Sequence, residues 1–200
     1  METYILPALL GLGLAASTGL KTFLPLLMMA LAARYNAFGI ELSGPFAWLG
    51  SWGAIAALGV ATATEFIADK VPFVDHALSV FGTAARPVAG AVAAAAAFST
   101  LDPMVAAMAG LIVGAPTALA VHTAQAGTRV ASTATTGGVA NPVVSLAEDG
   151  IAFGTTLLAL AFPLLVPVAL LVGAALVWWL IASVRRSLRG PRLAPDRRIP

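Results

Sequence analysis

The chain contains no cysteine, which excludes disulfides, thiolate metal sites and cysteine nucleophiles. Charged residues are scarce too: they make up 10% of the 200 residues, against roughly a quarter in an average soluble domain. Apolar residues make up 60%. So few charges could not keep a folded surface in water. The composition therefore predicts a protein whose solvent is lipid.

Three stretches have almost no acidic or basic side chain: residues 3–33, apart from Lys21, residues 42–64 and residues 150–184. A helix needs about 20 apolar residues to cross a hydrocarbon core about 30 Å thick. The pattern predicts an all-α, polytopic transmembrane helical bundle. We predict six spans, at residues 5–33, 46–69, 86–101, 104–125, 144–162 and 165–184.

Two of these spans have alternatives. The third span is short, so five spans is the other count, although the amphipathic run from Val74 to Ala85 could lengthen it. The stretch 150–184 is too long for one span. Pro163 and Pro167, which lack a helical donor, predict a hairpin there. One span after a membrane-surface helix is the alternative.

An arginine-rich tail predicts the orientation. Residues 1–186 form the predicted transmembrane domain and residues 187–200 a basic cytoplasmic tail, which we interpret as an anchor beside Trp178 and Trp179 rather than a nucleic-acid-binding segment. Six spans then place both termini in the cytoplasm. The connections 70–86 and 126–143 lie inside, and 34–45 and 102–103 lie outside.

Small residues recur at intervals of four and predict close helix packing. One row contains Ala106, Gly110 and Gly114, and another contains Gly90 and Ala94. Such rows let helix backbones approach each other in lipid. Chance spacing in a chain rich in alanine and glycine is the alternative.

One group of charges lies within or beside the first two spans. Glu65 and Asp69 are four residues apart and share a helix face. A charge near the bilayer centre is unfavourable by about 2.5–3.5 kcal/mol, so Glu65 should have a partner, for which Lys70 and Arg86 are candidates. Lys21 lies in mid-span before Pro25, which leaves the carbonyl of Lys21 without a helical donor and so predicts a break in this helix. It could pair with Glu65 or with an acid of the second cluster.

The second cluster follows the fourth span. His122, Gln125 and Arg129 fall on one helical stripe, and Glu148 and Asp149 follow later in the chain. Lys21 is a candidate counter-ion of either acid.

Both clusters have a similar plan, each leading to a Phe-Gly-Thr sequence, at residues 81–83 and 153–155. An internal repeat of a helical hairpin is therefore predicted, as in many transporters. Two alternatives to a functional site stay open. One is a static structural ion-pair network. The other is that some of these charges are interfacial residues at helix ends, namely Asp69, Lys70, Asp75 and Arg86.

Five sequence blocks resemble a known family. They are the run from Ser17 to Leu27, the segments 65–76 and 86–90, the segment 122–129, and Asn141-Pro142 with residues 145–149. Together they resemble the bacterial membrane proteins catalogued as domain of unknown function 4126, over residues 10 to 185. Gln125 stands where the family pattern has a lysine. The resemblance implies a multi-pass protein of the bacterial inner membrane and implies no activity.

The polar residues predict transport rather than catalysis. The chain has no Gly-x-Ser-x-Gly nucleophile motif, zinc-binding His-Glu-x-x-His or phosphate loop, so we predict no enzyme, cofactor or metal. The leading hypothesis is a small transporter or channel for an ion or solute, with a site near the cytoplasmic side. The predicted pathway residues are Lys21, Glu65, Asp69, His122, Arg129, Glu148 and Asp149.

Two other functions stay open. One is binding or flipping of an anionic lipid headgroup through Lys21, Lys70, Arg86 and Arg129. The other is a non-transporting membrane scaffold. The lipid bilayer is the predicted partner in each case, and a homodimer is compatible with the small size of the chain.

Overall fold

The computed structural model describes residues 2–70 and 72–188. This part of the chain is all-α, as predicted, with eight α-helices and no strand. The helices are α1 (Glu2–Leu20), α2 (Leu24–Arg34), α3 (Trp52–Ala68), α4 (Pro72–Ala97), α5 (Pro103–Ala109), α6 (Ala115–Thr136), α7 (Asn141–Ala161) and α8 (Val166–Leu188). Short 3-10 helices occupy Ala37–Gly39, Gly44–Gly50 and Pro163–Leu165, and a π-helical turn at Gly110–Gly114 joins α5 to α6.

Two of the predicted connections are helical. α4 begins at Pro72 instead of 86, and α6 continues to Thr136 instead of ending at 125. The predicted connection at 70–86 is therefore mostly helical, and the one at 126–143 shrinks to 137–140. The prediction ended these spans where charges appear. Arg86 and Arg129 turn inward and find partners, so the helices continue past them.

Three smaller corrections apply. α3 begins at Trp52 rather than at 46, because Gly44–Gly50 forms a 3-10 helix bent by 65° from it. α4 ends at Ala97 rather than at 101. The predicted break after α7 is confirmed, since α7 ends at Ala161 and a 3-10 turn begins at Pro163.

Length and composition identify fewer spans than the six predicted. Within the described residues, three helices are long and apolar enough to cross a membrane: Val80–Ala97, Pro103–Thr136 and Asn141–Ala161. The bent pair Gly44–Gly50 and Trp52–Ala68 is a fourth if it counts as one span. Shorter apolar helices lie at Tyr4–Leu20, Leu24–Arg34 and Pro163–Trp179. These helices fit a membrane protein.

α1 is the central helix of the first compact unit, which ends at Val166. It packs against α4, α6 and α7, and its Leu14 and Ala15 have no exposed surface. Large apolar side chains such as Val60, Leu111 and Ile112 point outward. An apolar exterior of this kind is typical of a surface that contacts lipid or another protein. Residues from 167 onward form a second unit, of which the structure describes α8 to Leu188; residues 189–200, most of the predicted tail, lie outside the description.

The predicted rows of small residues are confirmed as packing faces. A Cβ atom on Gly114 would lie 2.7 Å from the Cβ of Ala94, and one on Gly110 would lie 2.5 Å from the carbonyl oxygen of Ala91. A Cβ on Gly90 would meet Ala118 at 2.5 Å. The backbones of α4 and of the segment from α5 to α6 thus approach as closely as glycine allows. The internal repeat stays a prediction.

Candidate functional site

The site begins at a break in the first apolar segment. α1 ends at Leu20 and α2 begins at Leu24, with Pro25 in the first turn of α2. Proline has no N–H group to donate, so the helix cannot continue through it without loss. The sequence predicted this break. It leaves the last carbonyls of α1 and the first N–H groups of α2 without helical partners.

Glu65 of α3 binds the backbone N–H groups of the two residues that precede α2. Its Oε1 accepts hydrogen bonds from the backbone N–H of Thr22, at 2.9 Å, and from the Thr22 hydroxyl, at 3.0 Å. Its Oε2 accepts from the N–H of Phe23, at 3.3 Å. A carboxylate at a helix N-terminus is also stabilised by the helix dipole. Glu65 therefore holds the backbone just before the start of α2 from a different helix.

Arg86 of α4 and Gln125 of α6 bind the free carbonyls of α1. Arg86 Nη1 donates to the carbonyl oxygen of Gly19, at 2.9 Å, and Gln125 Nε2 donates to that of Leu20, at 3.4 Å. Arg86 Nη1 also donates to Gln125 Oε1. Both ends of the broken helix are thus held by side chains from other helices.

His122 lies beside Arg86, and both of its ring nitrogens have polar neighbours. Its Nδ1 is 2.7 Å from Arg86 Nη1, and its Nε2 is 3.3 Å from the hydroxyl of Thr83. A guanidinium can only donate, so Nδ1 must accept. His122 acts here as a hydrogen-bonding partner.

Lys21 is completely buried at the end of α1. Its ammonium forms ion pairs with Asp69 at the end of α3 and with Asp149 of α7, the latter at 2.5 Å. The ring of Phe66 lies 5.2 Å away and adds a cation–π contact. Lys70 also reaches Asp149, at 2.9 Å. Of the counter-ions predicted for Lys21, Asp149 is confirmed, and Asp69 is an additional partner.

Glu148 and Arg129 complete the site. Arg129 Nη2 lies 2.5 Å from Glu148 Oε2, and its Nε lies 3.1 Å from the same oxygen. Gln125 Nε2 donates to Glu148 at 2.7 Å while its Oε1 accepts from Arg86. An amide can do both, whereas a lysine could not accept from Arg86. Gln125 therefore joins the two halves of the site.

Together these side chains form one cluster, which we call the buried charge network. Its members are Lys21, Glu65, Asp69, Lys70, Arg86, His122, Gln125, Arg129, Glu148 and Asp149. Four acids and four bases leave no net charge. Charges buried in hydrocarbon need such pairing.

All seven predicted site residues lie in the network, and three members were not assigned to the pathway. Gln125 shares a helical stripe with His122 and Arg129, which was the signal for it. Arg86 was a candidate partner of Glu65, and its Nη2 is 3.9 Å from Glu65. Asp69 and Arg86 are 7% and 4% exposed, so both side chains face the protein interior. Lys70 is the third member. The side chain of Asp75 lies outside the described residues.

A cavity of about 220 Å³ lies beside the break. Its lining comprises Thr22, Phe23, Ala61, Thr64, Glu65, Phe81 and Arg86. Two members of the network thus face a space with mainly apolar walls. Among the described residues, no three His, Asp or Glu side chains are grouped to hold a metal ion.

Comparison with known proteins identifies one family. The model of the family described as "Domain of unknown function (DUF4126)" matches residues 8–185. No curated protein matches the chain, and no solved structure matches it.

Proposed function

The chain belongs to the DUF4126 family, and from the geometry of its site we propose that it is an integral membrane protein that transports a small ion or solute. One observation carries this proposal: a helix is broken inside the bundle, and both of its ends are held by ionised side chains from neighbouring helices. Discontinuous helices of this kind form the substrate and coupling-ion sites of many transporters. Irregular backbone at membrane depth is tolerated where protein buries it or a cavity adjoins it.

Six crossings are the arrangement we propose. α1 with α2 forms one, the bent pair ending in α3 a second, and α4 a third. The continuous run from α5 to α6, α7 and α8 provide the others. With six crossings of a plasma membrane, both termini lie in the cytoplasm, and the site lies near the cytoplasmic side. The basic tail then follows the positive-inside rule. A homodimer stays a hypothesis.

The buried charge network supplies a means of coupling proton binding to movement at the helix break. Glu65 holds the start of α2, and Glu148 is bonded to Arg129 and Gln125. A proton on either carboxylate would remove a charge that several donors share. The break would then loosen beside the cavity. We propose that the transported species passes when Glu65 and Glu148 exchange hydrogen-bond partners. The same two carboxylates carry the protons.

Flux in proteoliposomes tests this proposal. Purified full-length protein is reconstituted with an entrapped pH-sensitive dye, and proton movement is followed under imposed gradients of Na⁺, K⁺, chloride or a small carboxylate. Glu65→Gln and Glu148→Gln should each abolish the flux of the wild-type protein. Glu41→Gln is the matched control, because Glu41 is exposed and outside the network. Unchanged flux in both network variants would refute the proposal.

A scaffold is the second candidate, and the dense pairing of the network favours it. If the ion pairs only fix helix register, the same two substitutions should lower thermal stability in detergent, and the wild-type protein should carry no flux above empty liposomes. Stability and flux measured on the same preparations separate the two functions.

A further inference from the structure

One edge of the Arg86 guanidinium, formed by Nε and Nη2, donates no hydrogen bond to the described residues. Nη1 lies within hydrogen-bonding distance of acceptors on Gly19, His122 and Gln125, which share its two protons. Among the described residues, Nε is buried without a hydrogen-bond partner, and Nη2 approaches Glu65 only to 3.9 Å. Leaving a charged donor unpaired inside a protein is unfavourable, so this edge needs an explanation.

The geometry of that edge suits an oxyanion. Nε and Nη2 form a planar fork that binds both oxygens of a carboxylate or phosphate. Gly82, one turn before Arg86, leaves room beside it. A Cβ on Gly82 would lie 3.1 Å from Arg86 Nε, tighter than ordinary contact. Because Gly82 has no side chain, nothing on that residue presses on Nε, which is fully buried.

The cavity beside the break provides the space. Arg86 is part of its lining, and Phe23, Ala61 and Phe81 supply apolar walls. We propose that this cavity binds a small molecule with one oxyanion group and a short apolar body, the oxyanion resting on the Nε and Nη2 edge of Arg86. The inference rests on the proposed transport function, for which it names the class of substrate.

Glu65 sets the strength of this binding. Its carboxylate lines the same cavity and lies on the Nη2 side of Arg86. An incoming anion is attracted by Arg86 and repelled by Glu65, so the two charges oppose each other at the site. Removing the charge of Glu65 should therefore tighten binding even where it stops transport.

Calorimetric titration of the full-length protein in detergent tests the proposal, with benzoate and butyrate as probes. Gly82→Ala should weaken binding about tenfold or more, because it presses on the fork. Gly154→Ala is its matched control, since a Cβ there meets nothing within 4 Å. Ala61→Leu should block binding by filling the cavity, and Glu65→Gln should bind more tightly than wild type.

A second pair of substitutions tests whether the guanidinium group itself binds the anion. Arg86→Lys keeps the charge and loses the fork, so it should abolish binding, whereas Arg34→Lys, outside the site, should not. If Arg86→Lys does not fold, Gly82→Ala and Ala61→Leu decide the matter alone.

A lipid phosphate is the other source of the same chemistry. Native mass spectrometry of the protein with phosphatidylglycerol or phosphatidylcholine distinguishes it: retention of phosphatidylglycerol that Gly82→Ala abolishes, without benzoate or butyrate binding, would assign the oxyanion to a headgroup. Absence of any Gly82-dependent anion binding in both arms would overturn the inference. Binding without flux would instead reject only the transport function.

Discussion

At the residue scale, Lys21 occupies the least favourable position for a charge in the buried charge network. Its side chain has no exposed surface, and its ammonium is shared by carboxylates from α3 and α7. An isolated charge in such a place would be strongly unfavourable. Lys21 is tolerated because Asp69 and Asp149 compensate it. Conversely, both acids rely on it.

Lys21→Met should therefore lower the free energy of unfolding by about 3–5 kcal/mol, because it leaves buried carboxylates without their main partner. Reversible unfolding in mixed micelles, followed by tryptophan fluorescence, would measure this. Lys70→Met removes a cation from the same Asp149 at a partly exposed position, where the loss should be about 0–1 kcal/mol. Equal effects of the two substitutions would show that burial of Lys21 does not control the stability.

Much of the site could be predicted from single residues. Lys21, Glu65 and Glu148 are charges in apolar surroundings, and lipid makes such charges seek one another. Their pairing could be predicted only in part: Asp149 was among the candidates for Lys21, whereas Asp69 was not. Helical spacing places side chains on a face of their own helix but does not say which helices touch. For this reason Glu65 was expected to need a cation, whereas it mainly binds the backbone just before α2.

At the scale of the element, close helix packing depends on glycines, because a side chain at these positions would collide with the neighbouring helix. Gly114 of the π-helical turn faces Gly90 and Ala94 of α4. A methyl group there would force α4 and the π-helical turn apart.

Gly114→Ala should destabilise the protein by about 1–3 kcal/mol through overpacking. Gly127→Ala, in the exposed part of α6, meets nothing within 4 Å and should be neutral or stabilising by about 0.5–1 kcal/mol, because alanine favours the helix. Thermal melting of the two variants in one detergent compares them. A stable Gly114→Ala protein would mean that α4 and α6 pack less closely than described.

Helix ends were harder to predict than helices. Hydropathy ends a span at its first charges, which is sound only when those charges face water. Arg86 and Arg129 face the network instead, so α4 and α6 continue past them. The break before Pro25 was predictable, because proline excludes a helical hydrogen bond through its own chemistry and independently of tertiary contacts.

At the scale of the whole molecule, two connections lie at one end of the first unit. The hydroxyl of Ser43 donates to the carbonyl oxygen of Ser99, at 2.7 Å, and the hydroxyl of Ser99 donates to that of Glu41, at 2.9 Å. The chain before α3 and the turn before α5 therefore share an end. This agrees with the prediction that both lie on one side of the membrane.

The turn at residues 137–140 should then lie on the other side. α5, the π-helical turn and α6 form a continuous 34-residue run from Pro103 to Thr136. At about 1.5 Å per residue this run is roughly 51 Å long. It exceeds a hydrocarbon core of about 30 Å. Its two ends must emerge on opposite faces if it crosses the bilayer.

Single cysteines can test this arrangement without background, because the chain has no cysteine of its own. Glu41→Cys and Val139→Cys place a thiol at exposed positions near the two ends. In intact cells, a membrane-impermeant maleimide should label Glu41→Cys, and Val139→Cys should react only after permeabilisation. Labelling of permeabilised cells gives the total for each variant. Equal labelling of both thiols in intact cells would exclude the crossing by α5 and α6, and with it the six-span arrangement around the network.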